Sequence, residues 1–124
     1  MIGSPSRVFL ADDHALFREG VKSLLAEESD LVVAGESGSA KETLQRIRSE
    51  CFDVLLLDIS LPDGSGIDLL HQIRPHKPDL PILILSMHPE EQYAVSLLRA
   101  GASGYIAKDA VPQQVVQAIR TLLQ

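Results

Sequence analysis

The 124 residues contain one cysteine, Cys51, and no tryptophan. A single cysteine excludes an internal disulfide, and its place between a helical and a strand pattern reads as a small packed hydrophobe rather than a redox centre. Positive charge is also scarce: 11 Lys and Arg stand against 17 Asp and Glu, a formal net charge of −6. Phosphate contacts need clustered Lys and Arg, so direct nucleic-acid binding by this chain is excluded. The longest apolar runs are strand-sized and no basic head precedes a signal-like segment, so nothing is expected to span a membrane or direct secretion. The expectation is a soluble, cytoplasmic protein. No repeat, low-complexity tract or internal domain boundary interrupts the chain. With 45% hydrophobic residues, it is long enough to bury one core without disulfide or metal staples.

After a flexible head at residues 1–6, apolar strands alternate with amphipathic segments. Strands are expected at Arg7–Ala11, Leu31–Glu36, Val54–Asp58, Pro81–Ser86 and Gly104–Ala107. The first, third and fourth are nearly continuous apolar runs, as parallel strands covered on both faces require. Helices are expected at Ala15–Glu28, Ala40–Glu50, Ile67–Arg74, Glu90–Ala100 and Pro112–Leu123, with Gly101 placed as a C-cap. Pro75–Pro81 reads as a connecting loop. The pattern is an α/β, doubly wound, five-stranded parallel sheet. In the flavodoxin-like strand order 2-1-3-4-5, the first and third strands are neighbours at the switch point.

That order gives the acids their meaning. Asp12 and Asp13 close the first apolar run and Asp58 closes the third, and ligands of such sheets bind outside the carboxyl ends of the strands. Three anions meeting there call for a cation or for shared protons. An acid before a helix also caps it, but capping would occupy only one of the pair. The donors are hard oxygens, which favour Mg²⁺ over zinc. His14, next to the acids, is alone and reads as partner-facing or structural more readily than as a ligand. Lys108 ends the last strand and Ser86 the fourth. Lys108 at that strand end reads as a compact cation for a phosphoryl oxygen ahead of a solvated surface lysine, whereas Ser86 taken singly divides evenly between a phosphoryl donor and ordinary loop chemistry.

Together these positions resemble the receiver domain of two-component response regulators from Arg7 to Gln124. Asp12-Asp13 resembles the family's acidic pair, Asp58 its phosphoacceptor, Ser86 its strand hydroxyl, Tyr105 its switch aromatic and Lys108 its lysine. The phrases Asp12-Asp13-His14, Leu16-Phe17-Arg18-Glu19-Gly20 and Arg99-Ala100-Gly101-Ala102-Ser103-Gly104-Tyr105 are most similar to the NarL/FixJ subfamily. The resemblance implies a phosphorylatable switch rather than a turnover enzyme, with Asp58 as nucleophile. Mg²⁺ would be held by Asp13, Asp58 and the Ser60 carbonyl, with Asp12 acting partly through water. It further implies a histidine kinase donor docking on His14, Leu16, Gly20, Asp109, Ala110 and Val111. A helix-turn-helix output domain in a longer parent chain and a homodimer formed on phosphorylation are also implied.

Two positions depart from the family pattern. Asp109 stands where many members carry a proline after the lysine, which leaves that peptide geometry open, and Ser86 replaces the more frequent threonine. Two other functions compete. A Mg²⁺-dependent phosphatase of the haloacid dehalogenase type needs a second carboxylate two residues after its nucleophile, and Ser60 stands there. A flavin or nucleotide binder would meet repulsion from Asp12-Asp13 in its phosphate loop. Gly64-Ser65-Gly66 lacks the remaining features of a dinucleotide loop and reads as a turn after Pro62. Gly20 in mid-helix points to close approach by another element.

Overall fold

A computed structural model describes residues 4–87 and 91–124, the side chains of 91–93 excepted. Residues 1–3 of the expected head and Glu90, the expected first residue of the fourth helix, lie outside the described residues. In chain order the elements are β1 Ser6–Ala11, α1 Ala15–Ala26, β2 Leu31–Ser37, α2 Ala40–Ser49 and β3 Val54–Asp58. They continue with β4 Ser60–Leu61, β5 Gly64–Ser65, α3 Gly66–Ile73, β6 Ile82–Ser86, α4 Glu91–Arg99, β7 Gly104–Ala107 and α5 Pro112–Leu123. The main sheet runs β2-β1-β3-β6-β7, parallel throughout. This is the expected doubly wound order, because β4 and β5 form a separate two-stranded ribbon.

Continuous apolar strands follow from having helices on both faces. Phe9, Leu55, Leu57, Ile82 and Ile84 pack with Ile47 of α2, Leu69, Leu70 and Ile73 of α3, and Leu97 of α4. Val8, Leu10, Val54, Leu56, Leu83 and Leu85 pack on the other side with Val21 and Leu25 of α1 and Val115, Val116 and Ile119 of α5. The chain leaves β1 toward β2 at one side and β3 toward β6 at the other, so the crevice opens at the carboxyl ends of β1 and β3. No helix among the described residues is long and apolar enough to cross a membrane.

Four expectations need correction. Ser6 already belongs to β1, its N–H donating to the Asp30 carbonyl at 2.9 Å, so the head is shorter than supposed. Helix α1 stops at Ala26, because the N–H groups of Glu27 and Glu28 reach back to Leu24 and Leu25 and tighten the last turn. Cys51 is exposed: its loop crosses the amino edge of the sheet, and the residue that packs there is Phe52, edge-on to Phe9 at 5.0 Å. A Cβ at Gly20 would meet no atom within 4 Å, so no element approaches that helix face closely. The Lys108–Asp109 peptide is trans, as are all those described. The turn after Pro62 is the tip of the β4–β5 ribbon, with Ser60 opposite Ser65 and Leu61 opposite Gly64.

Helix ends follow their local chemistry. Ser39 accepts from the Glu42 N–H and Ser65 from the Asp68 N–H, while Pro112 opens α5. Helix α4 closes with Ala102 N–H on the Leu97 carbonyl and Gly101 N–H on Leu98, the pair of bonds that needs a left-handed residue. Gly101 has φ +117°, and a Cβ there would lie 2.9 Å from Arg74 Cγ and Nε. Arg74 bridges this turn to the α3–β6 loop, donating to the carbonyls of Gly101, Lys77 and Leu80. Gly101→Ala therefore meets both backbone strain and the Arg74 side chain, and should destabilise the domain by about 1–3 kcal/mol. Urea unfolding measures this, and a loss within error of zero would show that the turn tolerates a side chain.

Candidate functional site

Asp12 follows β1 directly and is fully buried. Its N–H donates to the Ser37 carbonyl at 2.9 Å, and its Oδ1 accepts from the His14 N–H at 2.7 Å. Asp58, the last residue of β3, is 2% exposed and accepts the Ser60 N–H on Oδ1 at 3.0 Å. Lys108 follows β7, with Nζ 2.7 Å from Asp12 Oδ2 and 3.5 Å from Asp58 Oδ2. Distance makes these ion pairs, yet alignment leaves both Oδ2 atoms, buried as they are, without a hydrogen bond. Asp13 is more open, its side chain 34% exposed. Asp12, Asp13, His14 and Asp58 each offer one donor atom, all within 4.8 Å of one another. Three carboxylates against one ammonium leave an excess of negative charge that a divalent cation would offset.

Ser86 is buried at the end of β6, and its carbonyl accepts the Lys108 N–H at 2.9 Å. Across β6 and β7, Ser86 is opposite Ala107 and Ile84 opposite Tyr105. The Tyr105 hydroxyl is buried without a hydrogen-bond partner among the described residues, and the ring packs on the core beneath α2, α3 and α4. Ser60 lies in β4, where the ribbon fixes it next to Asp58. Leu16 and Val111 are exposed, Gly20 and Asp109 also face solvent, and Ala110 is half-buried against the α1/α5 core. The structure thus gathers Asp12, Asp13, Asp58, Lys108 and His14 at one point, with Ser86 at an adjacent strand end and Tyr105 deeper on the same face.

The chain matches the response regulator receiver domain over residues 8–120. It belongs to that family. The DNA-binding transcriptional activator DevR/DosR of Mycobacterium tuberculosis is 39% identical over 114 residues, 92% of this chain and 52% of that protein. A LuxR-family two-component response regulator from Aurantimonas superposes with a TM-score of 0.91 at 35% identity, over 97% of this chain and 86% of that one. The signal receiver domain of the response regulator NarL from M. tuberculosis does so with a TM-score of 0.91 at 30% identity, covering 98% of both chains. The chain spans about half the length of the curated relatives it matches.

Three residues that buttress the site in this receiver domain do not stand out in the sequence. Phe17, which the sequence shows only as an apolar residue of α1, has Lys108 Nζ 4.5 Å from its ring centroid, a cation–π contact that orients the ammonium. Arg18 donates through Nε to Glu36 at 2.9 Å and through its guanidinium to the Asp12 carbonyl, tying the loop that carries the acids to β2. Asp63 at the ribbon tip accepts the N–H groups of Ala40 at 2.6 Å and Lys41 at 3.0 Å, which pull its carboxyl below the usual range. Only the run of an aromatic and an arginine one turn into α1 could have flagged the first two.

Glu36 links this scaffold to pH. The Lys22 ammonium, hydrogen-bonded at 2.7 Å, and then Arg18 hold its carboxyl below the ordinary value of 4.5. A folded pKa that is depressed gives stability above the unfolded value that is lost as pH falls through the folded one. Glu36→Gln should flatten stability against pH on the acid side of 4.5, relative to the parent. Urea midpoints measured down the acid limb check this, and parallel curves would show that the pair contributes nothing.

Proposed function

We propose that this receiver domain accepts a phosphoryl group on Asp58 from the phosphohistidine of a histidine kinase, and that α4, β7 and α5 carry the response. One observation supports it most. Asp58 Oδ1 is occupied by the Ser60 N–H, whereas buried Oδ2 has no hydrogen bond and faces Lys108 at 3.5 Å. A carboxylate oxygen with its lone pairs free is the nucleophile the chemistry needs. The new O–P bond forms as the P–N bond to the donor imidazole breaks, and the departing ring takes up a proton. Lys108, oriented by Phe17 and Asp12, supplies a fixed charge for a phosphoryl oxygen. Attack of water on phosphorus later releases inorganic phosphate and restores the carboxylate.

The donor set fits Mg²⁺: Asp12, Asp13 and Asp58 offer hard oxygens, two of them buried and without hydrogen bonds. With the Ser60 carbonyl these residues would hold the ion, which when bound offsets the carboxylates' repulsion and draws in phosphoryl oxygens. Exposed Leu16 and Val111 flank this end of the domain and, with His14, Gly20, Asp109 and Ala110, form the surface we assign to the kinase. The relatives' names, and their roughly twofold greater length, support a transcriptional output domain in the parent protein, working in the cytoplasm. A haloacid dehalogenase-type phosphatase would need an acid/base carboxylate where Ser60 stands.

Incubation with a small phosphodonor and Mg²⁺ should add one phosphoryl group by intact mass. Asp58→Asn, which keeps shape and loses the nucleophile, should add none while remaining folded. Stoichiometric labelling of a folded Asp58→Asn protein would remove Asp58 from its role.

Ser86 and Tyr105 share one face of the sheet, two positions apart in register. A hydroxyl hydrogen bond to a buried anion is worth about 1.5–3 kcal/mol, comparable to typical allosteric coupling of about 1–3 kcal/mol. Ser86→Ala should therefore still take phosphate at Asp58 but show a much smaller phosphorylation-dependent NMR shift at Tyr105 and along α4. Shifts as large as the parent's would rule out the hydroxyl as the link.

A further inference from the structure

His14 is the N-cap of α1, yet its side chain makes no capping hydrogen bond, although that position favours side chains that do. The ring turns to the acids instead. Its Nδ1 lies 3.1 Å from Asp12 Oδ1, 3.4 Å from Asp13 Oδ1 and 4.0 Å from Asp58 Oδ2. The same nitrogen is 3.0 Å from Lys108 Nζ. An ammonium only donates and an ionised carboxylate only accepts, whereas one imidazole nitrogen does one or the other. No tautomer satisfies both neighbours. A divalent cation takes lone pairs from the carboxylates and from Nδ1 alike, which ends their conflict, while Lys108 Nζ keeps Asp12 Oδ2, 2.7 Å away, as its partner. The four donors lie within 4.8 Å of one another, so a small inward movement of the side chains would bring them to bonds of about 2.0–2.3 Å around one ion. Asp12 and Asp58, with side chains 0% and 3% exposed, each have a buried Oδ2 that makes no hydrogen bond and has only the charge of Lys108 beside it.

We propose that His14 Nδ1 is a nitrogen ligand of this cluster, so that the site takes a borderline cation of the Zn²⁺ class more tightly than Mg²⁺. The proposal rests on Asp12, Asp13 and Asp58 holding a cation and adds a donor that sets which cation. Mg²⁺ prefers oxygen and gains little from imidazole, whereas Zn²⁺ binds it strongly and ranks higher among the divalent metals. His14 is therefore a specificity-determining residue. Zn²⁺ seated there competes directly with Mg²⁺ for Asp13 and Asp58.

The test is calorimetric titration of untagged protein with Zn²⁺ and with Mg²⁺, together with ¹⁵N spectra of the histidine rings. The parent should bind one equivalent of Zn²⁺ about 100-fold more tightly than Mg²⁺, with a shift of the His14 Nδ1 signal. His14→Ala should weaken Zn²⁺ binding about tenfold or more and leave Mg²⁺ binding nearly unchanged. The exposed ring makes no cap bond, so the variant should keep its circular dichroism. His14→Asn, which restores an N-cap residue but no ring nitrogen, should leave Zn²⁺ binding weak. Equal losses for both metals, no loss for either, or Zn²⁺ shifts confined to His71, His76 or His88 would overturn the proposal. Mg²⁺ binding that Asp13→Ala abolishes would keep the carboxylate reading intact even then. A parent that binds Zn²⁺ through His14 but no Mg²⁺ would sink the Mg²⁺ reading alone.

Discussion

The domain is organised around an unfavourable interaction: buried carboxylates forced together at the carboxyl edge of β1 and β3. Two like charges about 4 Å apart repel by about 4 kcal/mol at an effective dielectric of 20. Strands β3 and β6 are buried at every residue, and each large aliphatic side chain among them contributes about 1.5–3 kcal/mol. The eight apolar residues of Val54–Leu57 and Ile82–Leu85 therefore outweigh the repulsion several times over. Lys108 removes part of it, being 2.7 Å from Asp12 Oδ2 and 3.5 Å from Asp58 Oδ2. What remains is a site that favours whatever brings positive charge.

A strained cluster is useful only if its loops cannot relax. Two connections at that edge are tied to different elements. Arg18 fastens the β1–α1 loop to Glu36 on β2, and Asp63 fastens the β4–β5 ribbon to the start of α2. The opposite edge is tied in the same manner. Arg74 collects carbonyls from two turns, and Arg120 of α5 grips Glu28 and Asp30, which holds the Asp30 carboxyl low. Surface ion pairs contribute little singly. Their consequence here is geometric, since they fix the relative positions of elements that the core only presses together.

Much of this was legible in the sequence. The apolar runs announce strands buried on both faces, and their alternation with amphipathic segments announces the winding. Once the order of β1 and β3 follows, Asp12, Asp13, Asp58 and Lys108 meet without further assumption. What was not legible depends on contacts between distant residues. Periodicity marks Phe17 as apolar but not as the platform for Lys108, and it marks Arg18 as polar but not as the ligand of the Asp12 carbonyl. The misreadings of Cys51 and Gly20 have the same root. Residue type indicates average burial, while the loop after α2 and the outer face of α1 are set by neighbours that the local sequence does not show.

Side-chain alternation separates chemistry from response. Asp12 has the parity of Val8 and Leu10, Asp58 that of Val54 and Leu56, and Lys108 that of Ile106, all packed on the α1/α5 side. Ser86 has the parity of Ile82 and Ile84, and Tyr105 packs with them on the side of α2, α3 and α4. Within the sheet the two sets are divided by the backbone, and β3 and β6 are buried at every residue. At the carboxyl edge that barrier ends, because strand ends present both parities to one volume. On the proposed reading, a group attached to Asp58 would lie between Lys108 from one set and Ser86, at the adjacent strand end, from the other. On that reading, the position of Asp58 at the last residue of β3, rather than one residue earlier within the pleat, would make a switch out of a binding site.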